Sequence, residues 1–309
     1  MQQQSEALKK QVSLSPKLIR DVRERVIEVL LFLAAFSSVA TTISIVVLLI
    51  YESVEFFRNV SIVKFLTDTQ WTPLFADAHY GILPLISGTL VTTTVALLVA
   101  IPLGTITAIY LSEFANATLR EFVKPFLELL AGVPTVVYGY FALLFVTPLL
   151  QIVLPDLPGF NMLSAGLVMG IMIVPLVSSI SEDAMRAVPL YLREGSYAMG
   201  ATRLQTALRV VFPSAISGVF AAYILGISRA VGETMIVAIA AGLQPNLTWN
   251  PMDQAATITA YIVQVSQGDL PFGSLEYQTI FAAGLTLVLI TLVFNIFGYF
   301  LSKRYREIY

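Results

Sequence analysis

Two charged residues stand inside an otherwise apolar run, GISRAVGETMIVAIAAG: Arg229 and, four residues on, Glu233. Arginine's planar, permanently charged fork matches the oxygens of phosphate and related oxyanions, so this pair is a candidate for meeting an anion. Residues four apart share a helix face, which predicts Glu233 within ion-pair reach of Arg229, holding the guanidinium or competing for it. The alternative is a buried ion pair that only sets helix register. Arg before Glu is the less favourable order along a helix, so helix stability alone is a poor reason for the pair. Gly226 and Gly232 flank it and would let another backbone approach closely. Other chemistry is hard to assemble. There is no cysteine and a single histidine, His79, which removes thiol catalysis, thiolate ligands and any His-based triad or metal site. None of the six lysines follows a glycine, so the Gly-Lys of a phosphate-cradling nucleotide loop is missing. No catalytic residue, metal or cofactor is expected, and the chain reads as a non-enzyme.

The segment 182–213, EDAMRAVPLYLREGSYAMGATRLQTALRVVFP, could do a different job. Leu190, Leu192, Tyr197, Ala198 and Met199 alternate with Arg193, Glu194 and Ser196 as in an amphipathic helix. Gly200 suits the position just past a helix end, where a left-handed backbone is cheap only for glycine. Thr202 can cap a second helix and Pro213 end it. The expectation is a compact helix-turn-helix held against the membrane, with small residues on its exposed face.

The elements that position these residues follow from composition. The chain has 309 residues, 57% hydrophobic and 12% charged, with a mean hydropathy of +0.80; soluble domains carry about 25% charged residues, so most of this chain cannot face water. Six stretches reach the ~20 residues that cross a bilayer: 29–51, 84–111, 126–153, 163–181, 214–241 and 278–301. Arg229 lies roughly 22 Å beyond Ser214 at about 1.5 Å per residue, near mid-bilayer, where a charge must face protein or water. The basic lead-in and the length of the first stretch exceed those of a cleavable signal, so it is expected to stay as an anchor. With a cytosolic N-terminus, Lys and Arg gather on the inner segments, and only Arg58 and Lys64 fall on the outer ones. Both termini are therefore expected in the cytosol.

The domains expected are a cytosolic tail and interfacial helix at 1–28, a six-helix membrane domain at 29–301 and a cytosolic tail at 302–309. Ser15-Pro16 reads as a helix start, with Leu18, Ile19, Val22 and Val26 at helical spacing. That helix either lies on the cytosolic leaflet or forms the first turns of the first span. The outer loops, 52–83 and 242–277, hold Trp71 and Trp249, expected at the membrane–water interface, and His79, read as a surface histidine. Lys124 and Glu128, an i, i+4 pair, are expected to anchor the third span at the interface.

Two stretches resemble a known family. Glu194-Gly195-Ser196, Gly200 six residues after the glutamate, and Phe212-Pro213 resemble the "EAA" loop of bacterial ABC importer permeases, with Gly195 and Ser196 in place of two alanines. Arg-Ala-Val-Gly-Glu-Thr-Met at 229–235 resembles the signature of phosphate-specific (Pst) permease subunits, the residues after Thr234 looking like the C-type subunit. Ala-Gly-Val-Pro-Thr-Val-Val-Tyr-Gly at 131–139 is similar to a second element of that family. The resemblance implies an all-α polytopic membrane protein with the type I ABC importer permease fold, in the bacterial plasma membrane. It implies an ATP-driven importer of inorganic phosphate, with Arg229, Glu233, Thr234, Pro134, Thr135 and Tyr138 on the substrate path. Arg193, Glu194, Gly195, Ser196, Ala198, Gly200, Ala201 and Pro213 would couple to the ATPase. The implied partners are a homologous A-type permease, two ATP-binding subunits, an external phosphate-binding protein, phosphate and membrane lipid, with no nucleic acid. The alternatives are a permease for molybdate or sulfate, and an ion-driven secondary transporter. The latter predicts helices broken at corresponding positions of two halves.

Overall fold

The computed structural model describes residues 16–304, with side chains from Arg20 onward, and the chain divides into two compact units between Tyr51 and Glu52. Helix α1 (Pro16–Asn59) begins at the proline and runs 44 residues without a break, about 66 Å. The helix is continuous from Pro16 through the span, so residues 16–28 run on into it without an intervening loop. Residues 1–15 and the side chains of Leu18 and Ile19 lie outside the described part. In the first unit, the apolar side chains from Val22 to Tyr51 are almost all exposed, as befits a helix solvated by lipid rather than water.

The second unit holds α2 (Ile62–Thr67), α3 (Leu83–Phe114), α4 (Ala117–Gly132), α5 (Thr135–Val153), α6 (Met162–Arg186), α7 (Leu190–Ala198), α8 (Arg203–Ser214), α9 (Ile216–Val231), α10 (Met235–Ala240), α11 (Ile258–Ser266) and α12 (Leu275–Arg304). Among the described residues no strand forms; there is one isolated bridge, Trp71 to Tyr80. Five helices, α1, α3, α5, α6 and α12, are long and apolar enough to cross a membrane. Helices α8 and α9 make a sixth crossing if that pair, bent by 73°, counts as one span.

Two expected spans are interrupted. The stretch 126–153 breaks between α4 and α5 at Val133-Pro134, because proline cannot donate to the helix ladder and pushes the residue before it out of helical conformation. Val133 is extended, with ψ 131°. The stretch 214–241 breaks at Gly232-Glu233-Thr234, between α9 and α10. Non-helical backbone at membrane depth is tolerated where it is buried in protein or lines a water-filled cavity, and side chains bond the backbone at or beside both breaks. The Tyr138 hydroxyl donates to the Leu130 carbonyl across the first break at 2.8 Å. The Thr259 hydroxyl donates to the Glu233 carbonyl at 2.6 Å across the second.

The core forms where α3 and α6 lie against each other. A Cβ on Gly170 would sit 2.7 Å from the Ala96 carbonyl oxygen, so the backbones approach closely only because no side chain stands there. Met169, Met172, Ile173, Ala96, Ala100 and Val237 fill the surrounding cluster. A second cluster packs the end of α1 against α2 and α11: Phe56, Phe65, Trp71 and Tyr261 meet edge to face at centroid separations of 5.1–6.2 Å. Trp71, expected at the membrane–water interface, is thus a core residue, 2% exposed. The pattern could not reveal this, because its partner Tyr261 comes from a distant helix. Trp249 is exposed. His79 does more than occupy surface: its Nδ1 lies 2.9 Å from Asp68 Oδ2, its Nε2 3.7 Å from Asp77 Oδ2. The Asp68 hydrogen bond raises the imidazole pKa and the same bond lowers that of Asp68, so both charged forms are favoured together.

Candidate functional site

Three helices present one face each to a cavity of about 500 Å³. Helix α4 contributes Lys124, Leu127, Glu128 and Ala131; α6 contributes Met172, Pro175, Leu176, Ser179 and Ile180; α9 contributes Leu225 and Arg229. The sets follow the i, i+3, i+4, i+7 pattern that puts side chains on one side of a helix. The wall is mostly apolar, and the charged groups stand out against it.

Arg229 is in this cavity, and its electrostatic position differs from the one expected. Among the described residues it has no carboxylate at salt-bridge distance; its one polar contact is Met172 Sδ, 3.9 Å from Nη2. Glu233 lies past the end of α9 and turns the other way. Its Oε1 accepts from the Met235 and Ile236 amides at 3.1 and 3.4 Å, satisfying amides that the start of α10 leaves without partners. The ion pair predicted from i, i+4 spacing is absent because the helix ends at Val231, with Gly232 as its cap, two residues before the glutamate. Thr234 bonds the Gly232 carbonyl at 3.3 Å, so it too serves the break.

Of the other residues expected on the substrate path, Pro134 caps α5 and Thr135 begins it. Tyr138 is buried, with its hydroxyl on Leu130. Arg229 alone among the six lines the cavity.

Lys124 corrects a second expectation. It pairs with Glu182 Oε2 at 2.7 Å and Asp183 Oδ1 at 2.9 Å, not with Glu128. Glu182 is wholly buried and also meets Arg186 at 3.5 Å. A helix-surface i, i+4 pair contributes about 0.2–0.5 kcal/mol, whereas a buried carboxylate left without its cation costs about 3–5 kcal/mol. The larger demand claims the lysine. Lys124 and Glu128 therefore line the cavity instead of anchoring an interface, and the signal for it was the 124, 127, 128, 131 face of α4.

The loop 182–213 is built as its local sequence dictates. Helix α7 closes in a Schellman motif: Gly200, at φ +81°, donates to the Tyr197 carbonyl at 2.9 Å, and Ala201 to that of Ser196 at 3.2 Å. Thr202 and Gln205 form a reciprocal capping box at the start of α8. Pro213 sits in the last turn of α8, before the bend. Glu194, Gly195, Ala198, Gly200 and Pro213 are exposed, and Ala201 partly so. The exposed face is not made only of small residues: Tyr191, Met199 and Leu204 are exposed too.

Arg193 and Ser196 point inward. The Ser196 hydroxyl meets Thr206 Oγ1 at 2.8 Å, tying α7 to α8. Arg193 binds Glu113 through Nη2 at 3.0 Å and Nε at 3.4 Å, and Nη2 also donates to the Met185 carbonyl at 2.8 Å. It thereby fastens the loop to the ends of α3 and α6. Both partners are largely buried, so Arg193→Leu should destabilise the protein by about 3–5 kcal/mol, seen as a lower thermal midpoint of the purified protein. Glu113→Leu added to it should recover part of the loss, since no lone carboxylate remains. A double variant as unstable as the single would reject the pair as the anchor.

Residues 100–307 match the family described as "Binding-protein-dependent transport system inner membrane component". The chain is 34% identical over 300 residues to the probable ABC transporter permease protein YqgH of Bacillus subtilis, covering 95% of this chain and 97% of that one. It is 34% identical over 260 residues to the phosphate transport system permease protein PstC of Mesorhizobium japonicum, covering 78% of each. In fold it resembles the crystal structure of a bacterial ABC transporter involved in the import of the acidic polysaccharide alginate, with TM-score 0.64, 17% identity, and 93% and 99% of the two chains covered. The inward-facing MetNI methionine ABC transporter is similar over 74% of this chain and 95% of that one, at TM-score 0.54 and 17% identity. Helices interrupted at α4/α5 and α9/α10 thus occur within an ABC permease fold and do not argue for ion-driven transport. The chain belongs to the inner-membrane permease components of binding-protein-dependent transport systems, a multi-pass membrane family that includes the PstC permeases.

Proposed function

We propose that this chain forms one half of the transmembrane pore of an ATP-driven importer of inorganic phosphate. The observation that carries the reading is Arg229: a guanidinium with no carboxylate partner among the described residues, open to a cavity of about 500 Å³ between α4, α6 and α9. The phosphate transport permeases among its relatives give that cation a substrate. A second, homologous A-type permease would supply the other half. Two ATP-binding subunits would seat the exposed face of α7 and the Gly200 turn. A phosphate-binding protein would deliver its ligand to the loops 52–83 and 242–277. On this reading both termini lie in the cytosol, which the lysine and arginine distribution favours. ATP binding moves α7, and Arg193 passes that movement to α3 and α6 through Glu113 and the Met185 carbonyl. The chain itself supplies no ATPase, and the coupling energy comes from its partners.

The test is ATP-dependent uptake of radiolabelled phosphate by vesicles holding this chain with its partners. Arsenate should block uptake while sulfate and molybdate leave it intact. Uptake of sulfate or molybdate in place of phosphate would overturn the substrate and keep the permease.

A further inference from the structure

The cavity around Arg229 also holds a carboxylate that the transport reading does not use. Four of its lining side chains are polar or charged: Lys124, Glu128, Ser179 and Arg229. Lys124 is already engaged by Glu182 and Asp183. The two charges left over are Arg229 and Glu128, and among the described residues neither has an oppositely charged partner within salt-bridge distance. Glu128 is exposed, one turn along α4 from Lys124, on the face that looks into the cavity. A pathway for anions is an odd place for an unpaired carboxylate, because it repels every fully ionised oxyanion that enters.

An oxyanion that carries a proton behaves differently. Hydrogen phosphate, dihydrogen phosphate and their arsenate counterparts keep at least one hydroxyl at neutral pH, and that hydroxyl is a donor. Sulfate and molybdate have none. A carboxylate accepts a hydrogen bond from the first kind and can only repel the second. A cation beside it serves the ionised oxygens of either. Sites that bond a substrate hydroxyl reject analogues lacking it far more strongly than apolar pockets reject a change in size, and rejection can come from a repulsive group as well as an attractive one.

We infer that Glu128 reads the proton of the transported oxyanion, so that the cavity accepts phosphate and arsenate and turns away sulfate and molybdate. The inference rests on the proposal that Arg229 lines an oxyanion path. Selection would then operate inside the permease, as a second check after whatever the external binding protein selects. Ser179, on the facing side of α6, can donate or accept and does not discriminate by itself.

The experiment uses the complete transporter in lipid nanodiscs without the external binding protein, so that only the permease selects. Equilibrium binding of radiolabelled phosphate at neutral pH is challenged with arsenate or with sulfate. Arsenate should displace phosphate from the unaltered complex and sulfate should not. In Glu128→Gln, sulfate should compete at least about tenfold better than in the unaltered complex, while Glu128→Asp keeps the exclusion. Arg229→Gln should weaken binding of both phosphate and arsenate. If Arg229→Gln weakens phosphate binding but Glu128→Gln excludes sulfate as well as before, Glu128 is a solvated residue and this inference is overturned alone. If neither phosphate binding nor its uptake depends on Arg229, the oxyanion path itself fails, and the inference with it.

Discussion

Arg229→Gln should reduce phosphate uptake by at least about tenfold to a hundredfold while the transporter still assembles. A hydrogen bond to a charged group contributes about 1.5–3 kcal/mol, and each ~1.4 kcal/mol is a factor of ten. The structure makes this a clean substitution. Removing one member of a buried ion pair usually strands the other, and the loss of function then cannot be separated from damage to the fold. Arg229 strands nothing: Glu233 is bound to the Met235 and Ile236 amides, and the arginine's own contact is a methionine sulfur. Uptake by reconstituted vesicles, alongside size-exclusion chromatography of the complex, measures the two effects separately. Normal uptake by the assembled variant would remove Arg229 from the path.

Gly200→Val should cut recovery of the ATP-binding subunits on the purified permease by about tenfold or more, and Gly200→Asn should do so far less. Gly200 has φ +81°, and a Cβ placed there meets nothing within 4 Å, so the obstacle is conformational and not steric. Left-handed backbone costs an ordinary residue about 1–2 kcal/mol, and a β-branched one is a true outlier there. Asparagine adopts it more readily because its short polar side chain bonds locally. Valine would therefore open the Schellman turn and reorient α7 against α8, whereas asparagine would keep the turn and change only its surface. Equal recovery of the ATPase on both variants, at the level of the unaltered protein, would reject this turn as the docking element.

The site was legible in the sequence where its causes are local. The turn at Gly200, the Thr202 cap and the α7–α8 pair follow from the conformational preferences of a few adjacent residues, and the structure has them at the expected positions. The spanning helices follow from bilayer thickness and run length. The cavity was legible in part, since Arg229 stands out as a charge in an apolar run, and the faces 124–131 and 172–180 have helical spacing. Nothing in the sequence says that those two faces meet.

Local rules failed where long-range demands outweigh them. Lys124 lies one turn from Glu128, yet it serves Glu182, 58 residues away, because a wholly buried carboxylate loses more without a cation than a helix-surface pair gains. Glu233 lies one turn from Arg229 only if the helix continues, and the Gly232 break removes that premise. Trp71 has the residue type of a membrane-interface anchor, and only the packing of Tyr261 and Phe65 against it makes it core. Sequence by itself thus determined the membrane class, most of the spanning helices, the turn at Gly200 and the arginine within an apolar run, because each depends on hydropathy or on neighbours in the chain. The tertiary structure decided which charges neutralise each other and which stay free. That depends on burial and on distances between helices remote in sequence, and among the described residues it leaves Arg229 and Glu128 in one cavity without an oppositely charged partner.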